Sequence, residues 1–288
     1  RRRSARGRGG PRARGGRRTG GGGGGRAWRE QWLRAGRIAT ALHRGDPSSA
    51  TEEAAVADGA VDVPTDVHEG TVLQTVAEAV PDPATVFVSN SMPVRDLDRF
   101  VPPSTTNLTA LGNRGVSGID GIVSSALGAG SATTDDLTLV VGDLALYHDS
   151  NGLLAVDRCA VDVTIVLINN DGGGIFHKLP VESFDPPFTD SFKTPHGLAF
   201  EPLSTLYGLE YVRIDAREAG SDTVGDTAAD DDGTDDPSAA LAAAYTHAHE
   251  TDGSHLIEVR TDAEASQRIR ERLLDAVERA VHGGDESS

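Results

Sequence analysis

The stretch "VDVTIVLINN" (161–170) constrains the fold more than any other part of the chain. Its apolar residues are near-continuous and fall on both faces, so a strand formed there must be covered on both faces. "TVFVSN" (85–90) and "LTLVVGD" (137–143) read the same way, and shorter strands are predicted at "YVRID" (211–215) and "HLIEVR" (255–260). Helices are expected between and around them. They fall at 27–44, 68–80, 117–130, 149–159, 201–210 and 241–250, with the amphipathic "DAEASQRIRERLLDAVERAV" (262–281) last. Pro81 and Pro83 stop the second of these. Doubly covered strands alternating with helices predict an α/β fold, a parallel sheet with helices on both faces.

The 288 residues suffice for a sizeable core. Charge divides them sharply. Residues 1–37 hold thirteen Arg and one acid, Glu30, whereas the remainder holds 14 basic and 43 acidic residues. Residues 1–26 are nearly all Arg and Gly and can bury no core, so disorder is expected there. A nucleic-acid tail is one reading of this segment. A misassigned start is the other, because no aromatics interleave to stack on bases. Residues 45–67 read as a linker, and the seven Asp of loop 219–239 predict a solvated excursion. A body so acidic and poor in Lys fits a salt-rich cytoplasm and repels nucleic acid and anionic membranes. Cys159 is the lone cysteine, which excludes an internal disulfide; it reads as a small buried residue. No apolar run has the length of a membrane span.

In a parallel sheet, ligands bind beyond the C-terminal ends of the strands. Three polar clusters fall at such ends: "SNSMPVR" (89–95), "GDLALYHDSN" (142–151) and "NNDGGGIF" (169–176). Asp143 offers a carboxylate, Asn170 an amide oxygen and Gly172 a backbone carbonyl. Oxygen-only donors suit Mg²⁺, which keeps positions for phosphate oxygens. Gly172, Gly173 and Gly174 allow a sharp turn and close approach, and nearby helix N-termini favour an anion. This predicts a metal-bridged diphosphate site. The plainer reading is an Asx-turn after each strand. His148 and His177 flank the clusters and read as surface or loop residues.

Asp143 followed 27 residues later by Asn170 resembles the diphosphate-binding motif of thiamine-diphosphate-dependent enzymes, with Leu144 where that family has a glycine. "GDLALYHDSNGL" and "NNDGGGIF", with "SNSMPVRDLD" and "NRGVSGIDG", are most similar to the menaquinone-pathway branch of the family, from about residue 85 to 260. The resemblance implies a thiamine-diphosphate-binding domain over 68–288, with a helix and linker remnant at 27–67. It implies that Asp143, Asn170 and the carbonyl of Gly172 hold Mg²⁺ or Mn²⁺. Asn90, Ser91, Leu144 and Ala145 would contact the cofactor. Ile119 would sit under its thiazolium ring, and Ile175 and Phe176 beside it. Ser91, Arg95 and Arg114 would face the substrates, 2-oxoglutarate and isochorismate. Those are dicarboxylates, and Arg forks match carboxylates. The alternative for Arg95 is a surface bridge to Asp96 or Asp98.

The implied reaction decarboxylates 2-oxoglutarate and adds the four-carbon carbanion to isochorismate. The family's activating Glu lies in a pyrimidine-binding domain, usually supplied by a partner subunit of a homo-oligomer. Nothing in residues 1–80 resembles that domain. The chain is therefore expected to be the C-terminal part of a longer enzyme, without catalytic residues of its own and inactive alone. Two other readings stay open: another thiamine-diphosphate-dependent 2-oxoacid decarboxylase or synthase, and a non-catalytic binding fragment.

Overall fold

The computed structural model describes residues 22–45, 67–115, 118–217 and 236–282. Its strands are β1 (Ala84–Val88), β2 (Leu108–Leu111), β3 (Asp136–Gly142), β4 (Thr164–Asn169), β5 (Glu210–Asp215) and β6 (His255–Arg260). They form one parallel sheet in the order β2-β1-β3-β4-β6-β5. The helices are α1 (Gly22–His43), α2 (Glu69–Ala79), α3 (Met92–Phe100), α4 (Ile122–Gly130), α5 (Asp143–His148), α6 (Leu154–Cys159), α7 (Glu201–Tyr207), α8 (Pro237–Glu250) and α9 (Ala263–His282). Short 3₁₀ turns and a π turn at Thr189–Lys193 accompany them, one 3₁₀ turn joining α5 to α6 at Ser150–Leu153.

Alternate side chains of the central strands fill two cores, as the near-continuous apolar runs require. Leu139, Val141, Ile165 and Leu167 meet Ile122, Val123 and Leu153 on one face. Val140, Val166 and Ile168 meet Val72, Leu73, Leu241 and Tyr245 on the other. The α/β expectation holds, and all five expected strands are present.

Other expectations need correction. β2 was not foreseen. It lies at the sheet edge, its side chains range from half-buried to exposed, and its short sequence carries no apolar run. The first helix begins at Gly22, so residues 22–26 are helical rather than disordered, against the low helix propensity of glycine. Ile38 and Leu42 of this helix are buried against Ala276 and Ala280 of α9. Cys159 is exposed, not buried. It ends α6 just before Ala160 takes a left-handed conformation (φ 49°) that turns the chain toward β4. Residues 1–21, 46–66 of the expected linker, and 218–235, which include 219–235 of the acidic loop, lie outside the described residues. The last residues of that loop open α8, where the Asp236 side chain accepts from the N–H of Ser238.

His68 caps α2. Its Nδ1 accepts from the N–H of Gly70 at 2.9 Å, and Thr71 Oγ1 accepts from the N–H of His68 at 3.4 Å. Burial, with Arg270 and His43 nearby, pushes the His68 imidazole down to about 3. A proton on Nδ1 would also break the cap. The unfolded chain binds this proton near 6.5 and the folded chain only near 3, so stability is lost as pH falls through that window. The loss from this group is about 2 kcal/mol between pH 7 and pH 5. Denaturant unfolding against pH checks it: His68→Asn, which keeps a cap acceptor, is expected to flatten the profile. An equally steep profile in the variant would assign the acid sensitivity elsewhere.

Candidate functional site at the C-terminal edge of the sheet

The strand order brings the polar clusters together. β1, β3 and β4 are neighbours, with Val88 beside Val140 and Gly142 beside Ile168. The residues that follow each strand therefore emerge at one edge.

Asp143, the first residue of α5, ties two of these ends into one unit. Its Oδ2 accepts from the N–H groups of Asn170 (3.1 Å) and Gly172 (3.0 Å), and its Oδ1 from Leu144 (2.6 Å). Bonds to an ionised acceptor are the stronger kind. Burial raises the Asp143 carboxyl above its usual range, while the N–H groups of Gly172 and Leu144 and the His196 ring pull the other way. The turn after β4 needs glycine. Gly172 has φ +138°, and a Cβ there would lie 2.1 Å from the carbonyl oxygen of Lys193. Gly173 donates to that same carbonyl at 2.7 Å.

The following segment folds back over the turn. Asp171 Oδ1 accepts from the N–H groups of His196 (3.0 Å) and Gly197 (2.7 Å). Burial opposes ionisation of Asp171, but these N–H groups prevail and hold its carboxyl below the usual range. His196 Nε2 comes within 3.2 Å of Asp143 Oδ2. Two non-glycine residues here have positive φ, Ser91 (69°) and Asp171 (59°). Backbone held in such conformations costs about 1–3 kcal/mol each and gathers at functional sites.

Asn170 connects the turn to α2. Its Nδ2 donates to Glu69 Oε1 at 2.6 Å, while its Oδ1 is buried with no hydrogen-bond partner among the described residues. Glu69 in turn takes an ion pair from Arg270 of α9, which also binds Asp96 of α3. All three charged side chains are buried. Burial pushes the Asp96 carboxyl up to about 6, even with Arg270 against it.

These elements enclose a cavity of about 230 Å³. Of the residues singled out from the sequence, Ser91, Ile119, Asp143, Leu144, Ala145, Asn170, Gly172, Ile175 and Phe176 line it. Asn90 does not. It is buried, and its Nδ2 donates to the carbonyl of Gly118 at 2.7 Å, which fixes the loop carrying Ile119. Arg95 and Arg114 are exposed and outside the lining. Arg95 forms no bridge to Asp96, which belongs to Arg270; its guanidinium donates to the carbonyl of Ser91. Arg114 follows β2, next to β1, on the same edge of the sheet. His148 is exposed, as expected. His177 is buried instead, with Nδ1 2.7 Å from Glu182 Oε1 and its ring against Phe188. A short 3₁₀ turn swings it inward, a placement that loop-like spacing did not show.

The donor set fits a hard divalent cation. Asp143 supplies a buried carboxylate and Asn170 a buried, unpartnered amide oxygen. Gly172 supplies a carbonyl that accepts from the N–H of Gly174 (3.0 Å) and keeps a second lone pair. Arg270 balances Glu69, so Asp143 is the carboxylate left to meet a cation. The three donors named are all oxygens; among the described residues no group of three His, Cys, Asp or Glu side chains is placed to hold a metal. Glu69, Asp96, Arg270 and His196 escaped the sequence reading. The available signal was Arg270, which falls among the buried positions of α9 with Ser266, Ile269 and Leu273.

This is an α/β domain, a parallel sheet with helices on both faces, and its fold has a counterpart among solved structures. It is similar to the crystal structure of benzoylformate decarboxylase from Polynucleobacter necessarius, with a TM-score of 0.51 and 18% identity, over 70% of this chain and 34% of that one. At that identity the likeness concerns the fold alone. Sequence is more specific. Over 261 residues, 90% of its length, the chain is 64% identical to the 2-succinyl-5-enolpyruvyl-6-hydroxy-3-cyclohexene-1-carboxylate synthase of Halorubrum lacusprofundi, covering 39% of that protein. It is 51% identical over 267 residues to the synthase of Haloquadratum walsbyi, covering 87% of this chain and 40% of that protein. The chain is thus homologous to a part of these synthases and spans about two fifths of their length. No protein-family model matches it.

Proposed function

We propose that this chain is the diphosphate-binding, C-terminal part of a thiamine-diphosphate-dependent synthase that joins 2-oxoglutarate to isochorismate in menaquinone biosynthesis. The observation that carries the reading is Asp143 bonded to the Asn170–Gly172 turn, beside the unpartnered Oδ1 of Asn170. Homology to synthases of that name supports the substrates.

In this reading Asp143, Asn170 and the Gly172 carbonyl would hold Mg²⁺ or Mn²⁺, whose charge would favour a diphosphate at this site. Thiamine diphosphate bound there supplies the electron sink for decarboxylation of a 2-oxoacid. The chain's own residues bind, orient and exclude water. The side chains of Ile119, Ile175, Phe176 and Met92 make the cavity wall apolar. That lowers the local dielectric and strengthens the polar contacts at its floor. Asn90 holds the Ile119 loop in place through Gly118. In this reading Ser91, which lines the cavity, and Arg95 and Arg114, exposed outside its lining, face the substrates, whose carboxylates guanidinium forks match. In a body with so many acids, these cations supply the local positive charge an anionic substrate needs.

Activation of the cofactor needs the pyrimidine-binding domain of a partner subunit in a homo-oligomer. Carbon dioxide release from 2-oxoglutarate tests this directly. The 288 residues alone, at high KCl with Mg²⁺ and thiamine diphosphate, are expected to give none above background. Adding a separately produced pyrimidine-binding domain is expected to restore it, dependent on isochorismate for product. Release by the chain alone, or none from the folded mixture, would count against the proposal.

A further inference from the structure

We propose that Glu69 is a positioning residue that sets the polarity of the cation site by holding the Asn170 amide in one orientation. This rests on the reading of Asn170 as a cation ligand and adds a second residue that the site requires.

The chain of contacts runs Arg270, Glu69, Asn170. Glu69 Oε2 pairs with Arg270 Nη2, and Glu69 Oε1 accepts from Asn170 Nδ2 at 2.6 Å. A carboxylate only accepts and a guanidinium only donates. The amide must therefore turn its NH₂ toward Glu69 and its oxygen away from it. That oxygen is the buried atom without a partner, on a residue that lines the cavity together with Asp143. Glu69 is 1% exposed and also lines the cavity, so water does not replace its bond to Asn170. The three residues come from α9, the first turn of α2 and the turn after β4, which makes the amide orientation a product of the whole fold.

Glu69→Gln inverts this polarity at constant shape. Arg270 still only donates, so the glutamine must give its oxygen to Arg270 and its NH₂ to Asn170. The Asn170 oxygen then turns to accept that NH₂, and its own NH₂ faces the cation. A donor aimed at a cation repels it. Combining Glu69→Gln with Asn170→Asp corrects the fault: one carboxylate oxygen accepts from the glutamine and the other faces the cation. A merely structural Glu69 has no such pattern of loss and rescue.

The test is calorimetric titration of Mn²⁺ with inorganic diphosphate into the full chain at high KCl, with thermal unfolding of each variant beside it. Glu69→Gln is expected to weaken metal-dependent binding by about 10- to 100-fold. The double variant is expected to recover most of that loss. Unchanged affinity in folded Glu69→Gln, or no recovery in the folded double variant, overturns the role of Glu69. Asn170→Ala separates the two readings: if it leaves binding intact, Asn170 is not a ligand and the underlying site assignment fails instead. Should Glu69→Gln unfold, recovery of binding and folding together in the double variant still supports the inference, and recovery of folding alone overturns it.

Discussion

Replacing Asp143 by Asn is expected to weaken metal-dependent binding of thiamine diphosphate by more than about a hundredfold while leaving the fold in place. Three backbone N–H groups converge on this carboxylate, and it is the one buried charge at the site without a cationic side chain to balance it, beyond a histidine ring. Asparagine keeps the shape and one acceptor oxygen but removes the charge that pairs with a divalent cation. Asp143→Ala is the harsher change, since it strands three donors, each costing about 1–3 kcal/mol if left unsatisfied. Calorimetry with and without Mg²⁺, alongside thermal unfolding, separates the two effects. Binding by Asp143→Asn equal to that of the parent chain would remove Asp143 from the site.

Arg270→Met is expected to give the largest loss of stability, about 3–5 kcal/mol at neutral pH. The guanidinium is 3% exposed and is the shared partner of Glu69 and Asp96, at 1% and 0%. Its removal leaves two carboxylates facing one another out of water. Acid should relieve the variant. Burial already pushes the Asp96 carboxyl up to about 6 with the guanidinium present, so without it a proton is taken more readily still. The stability gap between variant and parent should therefore narrow as pH falls toward about 6, where the parent's own Asp96 takes up a proton, and hold steady below that. Urea unfolding at pH 7.5 and pH 5 reads both effects; a gap that is constant with pH would mean that the lost packing, not the charge, sets the cost.

The sheet was legible because burial on two faces leaves a near-continuous apolar run, as at 161–168, and few other structures demand one. The site was legible for a related reason. Parallel strands deliver their C-terminal ends to one edge, so polar residues after β1, β3 and β4 had to meet if those strands were neighbours. What escaped was whatever depended on long-range pairing. β2 exists because β1 offers it an edge, and its own four residues carry no signal. The residues of α3 read as a polar cluster, although Pro93 is well placed in a first helical turn. Glu69, at the start of α2, carries no sequence signal beyond being an acid at the N-terminal end of an expected helix. Only the arrival of Arg270, 201 residues later, makes it part of the site. His196 was invisible for the same reason, since it reaches Asp143 only because Lys193 and Asp171 fold its segment back over the turn. The buried His177 and the exposed Cys159 show that short loop spacings do not fix which way a side chain turns.

One measurement bears most directly on the central claim, that the ends of β3 and β4 form a cation-bridged diphosphate site. Thiamine diphosphate and, separately, inorganic diphosphate are titrated calorimetrically into the folded chain at high KCl, with Mg²⁺ and with a chelator in its place. Saturable binding of both that requires the metal is the expected result. A chain shown by circular dichroism to be folded that takes up neither, or that takes them up equally well without the metal, would contradict the account.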